Sequence, residues 1–157
     1  MMSRTLLSVV VVLPALLLAA CGDDASADEP PEIEYGRDTC DRCNMIISEE
    51  RYASGLVDED GEKLVFDDTG EMVAFMQDDP EAYAAWRIWV HDYDSVEWID
   101  GATAFYVYSQ DTNTPMGTGV IAFKTREAAE AFAQENEGMV MDWQTLLSEW
   151  TMPMHGH

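Results

Sequence analysis

The chain has 157 residues, 8 of them basic and 31 acidic, and a formal net charge of −23. That length suits one domain or two small ones, and with 47% hydrophobic and 10% aromatic residues it can build a core, which argues against wholesale disorder. The acidity argues against a nucleic-acid binder, which needs a basic footprint on phosphate, and leaves no basic patch for an anionic membrane surface.

The chain opens on an address. Arg4 supplies a positive charge, and residues 6–18 are apolar except for Ser8 and Pro14. That run falls short of the roughly 20 residues a spanning helix needs and suits the core of a signal peptide over residues 1–20. It ends in Leu18-Ala19-Ala20-Cys21, which resembles the lipobox of bacterial lipoproteins. The resemblance implies cleavage before Cys21 and acylation of that cysteine, hence a membrane lipoprotein facing the periplasm or the cell exterior. Gly22 stands where some lipoproteins carry an Asp that retains them in the inner membrane, so the choice of membrane stays open. Residues 21–38, rich in Asp, Glu, Pro, Ser and Gly, then read as an acidic tether with little to bury.

Cys40-Asp41-Arg42-Cys43-Asn44-Met45 is the sharpest local feature. Cys-x-x-Cys places two sulfurs on one tight turn. In an extended segment residues i and i+2 point the same way, so Cys43 and Met45 are expected to aim at a common point. Thiolate with thioether is a soft set that selects Cu(I). A zinc site would want a second pair of ligands, and a c-type haem site would want His where Asn44 stands. A thioredoxin-like module would open a helix inside a βαβ core, whereas an acidic tether precedes this motif. A plain disulfide between Cys40 and Cys43 fits the same spacing, and Met45 alone fits a core position.

Two stretches, 64–77 and 121–134, align without gaps at an offset of 57, with Phe66/Phe123, Ala74/Ala131, Phe75/Phe132 and Gln77/Gln134 identical. Each reads as a short apolar strand, a capping Thr and a helix. In the first unit a strand over 52–57 turns through Asp58-Glu59-Asp60-Gly61 into 63–66, a hairpin signal, and a strand over 86–91 follows the helix. In the second unit strands are expected over 103–108, from about 119 onward and over 139–143. Thr125 caps an Ala-rich helix whose Ala128, Ala131 and Phe132 share a face. A closing helix is expected over 144–150. The fold class is α+β: two tandem ββαβ units, 39–98 and 99–150, with antiparallel sheets and packed helices.

Met72 and Met76 on the first helix, and Met139 with Met141 on one strand face, are expected in the core. Met116 sits in the loop Asn113-Thr114-Pro115-Met116-Gly117, where turn residues dominate, and is read either as a ligand or as packing over the sheet end. The tail, residues 151–157, carries Met152, Met154, His155 and His157 and is read as a secondary copper site or as a terminus without a task. His91, next to a strand, reads as a hydrogen-bonded residue.

Taken together, the lipobox, the Cys-x-x-Cys-x-Met, the Pro-Met-Gly loop and Phe123-Lys124-Thr125 resemble the NosL family of copper-binding lipoproteins that accompany nitrous-oxide reductase. Asn44 replaces the Gly usual in that family; Asn tolerates left-handed backbone well. The resemblance implies a Cu(I) metallochaperone with Cys43 and Met45 as primary ligands, Met116 as a third and Cys40 less firmly assigned. It also implies partners in the reductase maturation machinery, including a membrane ABC-type complex. No catalytic constellation is evident, so an enzyme is not expected. The alternatives are a thiol-redox lipoprotein using Cys40/Cys43 and a structural lipoprotein without metal. The charge suggests adaptation to high salt, with carboxylates coating the surface.

Overall fold

The first hairpin closes where its Asp-Gly turn predicts. In the computed structural model, which describes residues 28–153, β1 (Ser54–Val57) pairs antiparallel with β2 (Lys63–Phe66). Gly61 takes φ 81°, and the Asp58 carboxylate accepts from the amides of Asp60 and Glu62 at 3.0 and 2.7 Å. The helix α1 (Thr69–Asp78) follows, and β3 (Arg87–His91) returns along the other side of β1. A further strand, β4 (Trp98–Asp100), pairs with β3 and completes a sheet of order β2-β1-β3-β4. Sequence reading has no strand there: three residues are too few to show an alternation.

The second unit repeats the plan. β5 (Phe105–Tyr108) lies between β6 (Val120–Phe123) and β7 (Met139–Asp142), all antiparallel, with α2 (Arg126–Glu135) between β6 and β7 in sequence. The order β6-β5-β7 matches β2-β1-β3 strand for strand. The helix α3 (Trp143–Glu149) closes the chain, capped by Asp142.

The units share one interior. The β5–β6–β7 sheet turns Tyr106, Val120, Ala122 and Met141 to the same core as Phe66, Met72 and Val73, and turns Val107, Ile121 and Phe123 to Ala129 and Ala133 of α2. The helix α1 packs against β1 and β2 of its own unit and against β6 and α3 of the other, so it is an inner layer. That explains its burial: Thr69 to Ala74 and Met76 are all buried, whereas on α2 only Ala129 and Ala133 are. At a corner between the sheets Asp92 bridges Ala122, and its carboxylate accepts the Lys124 amide at 2.7 Å.

Four expectations are corrected. The cap of α1 is Asp68, not Thr69; its carboxylate accepts from the Gly70 amide at 2.9 Å, and it is Asp68 that aligns with Thr125. Ala131 is exposed, because the α2 face on the sheet is centred one residue later than expected, on Ala129 and Ala133. Met141 is buried but Met139 is 61% exposed, at the start of the outer strand beside an open cleft with Tyr108 and Gln110. The carboxylates do not all coat the surface: Asp67, Asp68, Glu71 and Asp92 are buried.

Part of the stretch read as tether is packed. Pro31 is buried, with its ring over Gly55 of β1, and the Tyr35 hydroxyl lies 3.0 Å from Nε2 of His91. Ile33 and Tyr35 supply the apolar groups that hold this segment to the sheet. Cys21, the leader, Met154, His155 and His157 lie outside the described residues.

Candidate metal centre

The cysteine turn is an addition to the free edge of β2. The Asp41 amide donates to the Val65 carbonyl at 2.9 Å, and the Asp41 carboxylate accepts the Val65 amide at 2.6 Å. Within the turn the Cys40 amide donates to the Met45 carbonyl at 2.8 Å and the Asn44 amide to the Cys40 carbonyl at 2.9 Å. A bridge between Thr39 and Ile46 closes it. Asn44 sits at φ 59°, in the left-handed region that Asn tolerates, so the turn forms without a glycine there.

This docking sets the two thiols against the residue that follows β2. Cys40 is 1% exposed and Cys43 is half-buried. The Cys43 amide donates to Cys40 Sγ at 3.4 Å, and Cys43 Sγ donates to Asp67 Oδ1 at 3.4 Å. The two sulfurs and one Asp67 oxygen all lie within 4.8 Å of one another. Burial pushes both thiols up, Cys43 to about 12; amides of Cys43, Asp67 and Arg42 partly offset this at Cys40, and the Met45 amide does so at Cys43. Both sulfurs therefore hold their protons at neutral pH, and a soft cation that binds here displaces them. Asp67 was not foreseen. Its signal in the sequence is weak: an acidic residue where the second unit has Lys124, just ahead of the expected helix.

Arg42, inside the turn, faces a second group. Its Nη1 donates to Glu71 Oε2 at 2.9 Å, and the Glu71 side chain is only 4% exposed. The same nitrogen approaches Met152 Sδ at 3.7 Å. Gln77 Nε2 donates to the carbonyls of Leu147 and Trp150 at 2.9 and 2.8 Å, which turns the chain after α3 back toward α1. Met152 is thus half-buried beside the cysteine turn, and the rest of the tail follows it in sequence.

The loop with Met116 reaches the same end of α1 from the other unit. The Met116 amide donates to Asp68 Oδ2 at 3.0 Å, and the Thr114 hydroxyl donates to the same oxygen at 2.6 Å. Met116 is half-buried. Adjacent residues, Asp67 and Asp68, therefore touch Cys43 on one side and the Met116 loop on the other. Met45 does not follow the simple alternation: Asn44 breaks the extended backbone, and Met45 is 57% exposed with Ile46 beside it at 56%. His91 is elsewhere, 2% exposed, with Nδ1 2.9 Å from the Val96 carbonyl oxygen and its ring 3.8 Å from that of Trp98.

Among the described residues no helix is long and apolar enough to cross a membrane. The sequence profile of the NosL family matches residues 32–151. A curated relative, the copper-binding lipoprotein NosL of Stutzerimonas stutzeri, is 26% identical over 163 residues, covering 95% of this chain and 86% of that protein. The crystal structure of the copper chaperone NosL from Shewanella denitrificans superposes with a TM-score of 0.65 at 19% identity, over 73% of this chain and 92% of that one, and so shares the fold.

Proposed function

The chain belongs to the NosL family, and from that premise we propose that it is a lipoprotein, anchored through Cys21, that binds Cu(I) outside the cytoplasm and passes it on for assembly of the copper centres of nitrous-oxide reductase. The observation that carries this reading is the convergence of Cys40, Cys43 and Asp67 within 4.8 Å, one residue from the carboxylate that holds the Met116 loop. Cys43 and Met116 supply thiolate and thioether donors, and exposed Met45 forms the rim of the site. Cys40, buried behind them, supplies either a further sulfur or the wall of the site. Thiolate with thioether favours Cu(I) over harder ions.

Loading replaces the Cys43 proton with copper, and the proton leaves to solvent. Release follows from the unequal donors. A thioether is neutral and binds more weakly than a thiolate, so a partner's sulfur or imidazole displaces Met45 at the exposed rim while Cys43 still holds the ion. Full dissociation is avoided. The tail with Met152, Met154, His155 and His157 is a secondary capture site. The receiving side is the reductase maturation machinery, with its membrane ABC-type complex, and the role is carriage, not catalysis.

Native mass spectrometry with Cu(I), together with a competition titration against a Cu(I) chelator, tests this. The protein is expected to gain one tightly held copper. Cys43→Ser should cost at least about a hundredfold in affinity, equivalent to about 3 kcal/mol, and Met45→Leu less. Unchanged affinity in both variants rejects the site. A Cys40–Cys43 disulfide that cycles with a partner, without uptake of copper, would favour the thiol-redox reading.

A further inference from the structure

Asp68 does far more than a helix cap requires. A cap needs one oxygen to accept one amide of the first turn, and Oδ1 of Asp68 does this for Gly70 at 2.9 Å. The same side chain accepts three more donors, all from the second unit: the hydroxyls of Thr114 and Thr118 and the amide of Met116. Asp68 is 0% exposed, so four donors converge on a carboxylate with no access to water. A carboxylate offers about four acceptor positions, and here they are taken. The contact is tight on its other side as well: a Cβ at Gly70 would lie 2.4 Å from the Thr118 side chain.

We propose that Asp68 is the positioning residue that sets Met116 over the copper site. Its neighbour Asp67 accepts from the Cys43 thiol, so the thiol and the loop are referred to one rigid point, the buried first turn of α1. Within the loop the Gly117 amide donates to the Thr114 carbonyl at 2.9 Å, a turn that does not reach the first unit. The loop contains Asn113, Pro115 and Gly117, all exposed, with Gly117 at φ 67° and Gly119 at φ 72°. Without the carboxylate, Thr114 Oγ1 retains only Thr118 Oγ1, at 3.4 Å, and the Gly119 amide, at 3.2 Å, both inside the same loop. Among the described residues no other hydrogen bond then ties the Met116 backbone to the unit that carries the cysteines, and the packing of Thr118 on Gly70 remains. The energetic role follows from geometry: a ligand held in place before the ion arrives gives up less freedom when it binds.

This inference rests on the reading of Met116 as a copper ligand, and a double-mutant cycle separates the two. Asp68→Ser keeps a short cap like that of α2 but cannot span to the loop. Thr114→Val removes one tie and leaves the cap untouched, which serves if Asp68→Ser does not fold. Each is combined with Met116→Leu, and Cu(I) affinity is measured by competition with a chelator. Asp68→Ser is expected to lower affinity about tenfold in the native background and to change it little once Met116 is Leu. X-ray absorption at the copper edge should show the same loss of one sulfur neighbour in Asp68→Ser as in Met116→Leu. An equal loss of affinity in both backgrounds would make Asp68 a structural residue only and overturn the proposal, with Met116 still a ligand. If Met116→Leu alone leaves affinity and sulfur count unchanged, Met116 is not a ligand, and both readings fall.

Discussion

The two helices of the repeat begin alike and end up in different places. Both follow a strand that ends in Phe, both are ten residues long, and both are capped by a side chain at the same position of the repeat, Asp68 for α1 and Thr125 for α2. At α2 the cap accepts one amide, from Ala128 at 3.2 Å, and the residues around it are exposed; Lys124 pairs with Glu97 at 3.4 Å in solvent. At α1 residues 67–74 are buried without a break, and the residue equivalent to Lys124 is Asp67, against Cys43. The difference is one of layer. A helix that covers the outside of a sheet needs an apolar stripe and a polar back. One held between two sheets has no polar back, so every polar group at its end must find a protein partner. Those partners are the cysteine turn and the Met116 loop. The proposed copper site thus lies where the stacking of one unit on the other brings a helix end inside.

The comparison is testable by breaking both ends in the same way. Asp68→Ala removes the cap and leaves the hydroxyls of Thr114 and Thr118 and the Met116 amide without their buried acceptor, for an expected loss of about 3 kcal/mol in denaturant unfolding. Thr125→Ala should cost about 1 kcal/mol, the value of an exposed cap. Equal losses would mean that the second-unit donors find other partners. The next positions sharpen the contrast. Gly70→Ala drives a methyl into Thr118 and should cost about 2 kcal/mol by overpacking, whereas Glu127→Ala, at the equivalent exposed position, should stay within about 0.5 kcal/mol.

Salt and pH probe surface and interior in turn. The chain carries 31 acidic residues against 8 basic ones, and molar salt shortens the screening length from about 8 Å to about 3 Å. The melting temperature is therefore expected to rise between low salt and molar potassium chloride, while the gap between Asp68→Ala and Thr125→Ala stays constant, because the α1 end is dry. A flat melting temperature would remove the argument for adaptation to high salt. The smallest effect is expected from His91. Burial lowers its pKa, opposed by the Val96 carbonyl and the charge of Glu50. A lowered histidine means that the unfolded chain takes up a proton before the folded one does. Stability is then complete above about pH 6.5 and declines as the pH falls below it. His91→Gln should flatten that part of the profile in urea titrations at stepped pH.

Much of the fold was legible because its signals are local. The Asp-Gly hairpin, the Thr125 cap of α2 and the strand before each helix depend on residues within one or two turns of each other, and each lies where its pattern predicts. The errors have the same origin. Ala131 and Met139 have the residue type of core positions, but what covers them is decided by a neighbouring layer. β4 exists only because β3 offers it an edge.

For the site, the Cys-x-x-Cys-x-Met spacing singled out a soft-ligand turn at Cys40, Cys43 and Met45, and the turn residues around Met116 marked it out among ten methionines as either a ligand or packing. These signals could not say that Asp67 would join the sulfurs, that Asp68 would seize the Met116 loop, or that Arg42 would meet Glu71 and Met152. Those contacts join residues 24 to 110 positions apart. They arise because α1 is buried between the units, and a buried carboxylate or guanidinium must take whatever donors or acceptors the packing brings to it. Local sequence decided which groups offer soft donors; the docking of the cysteine turn on β2 and the stacking of one unit on the other decided which of them meet at the buried end of α1.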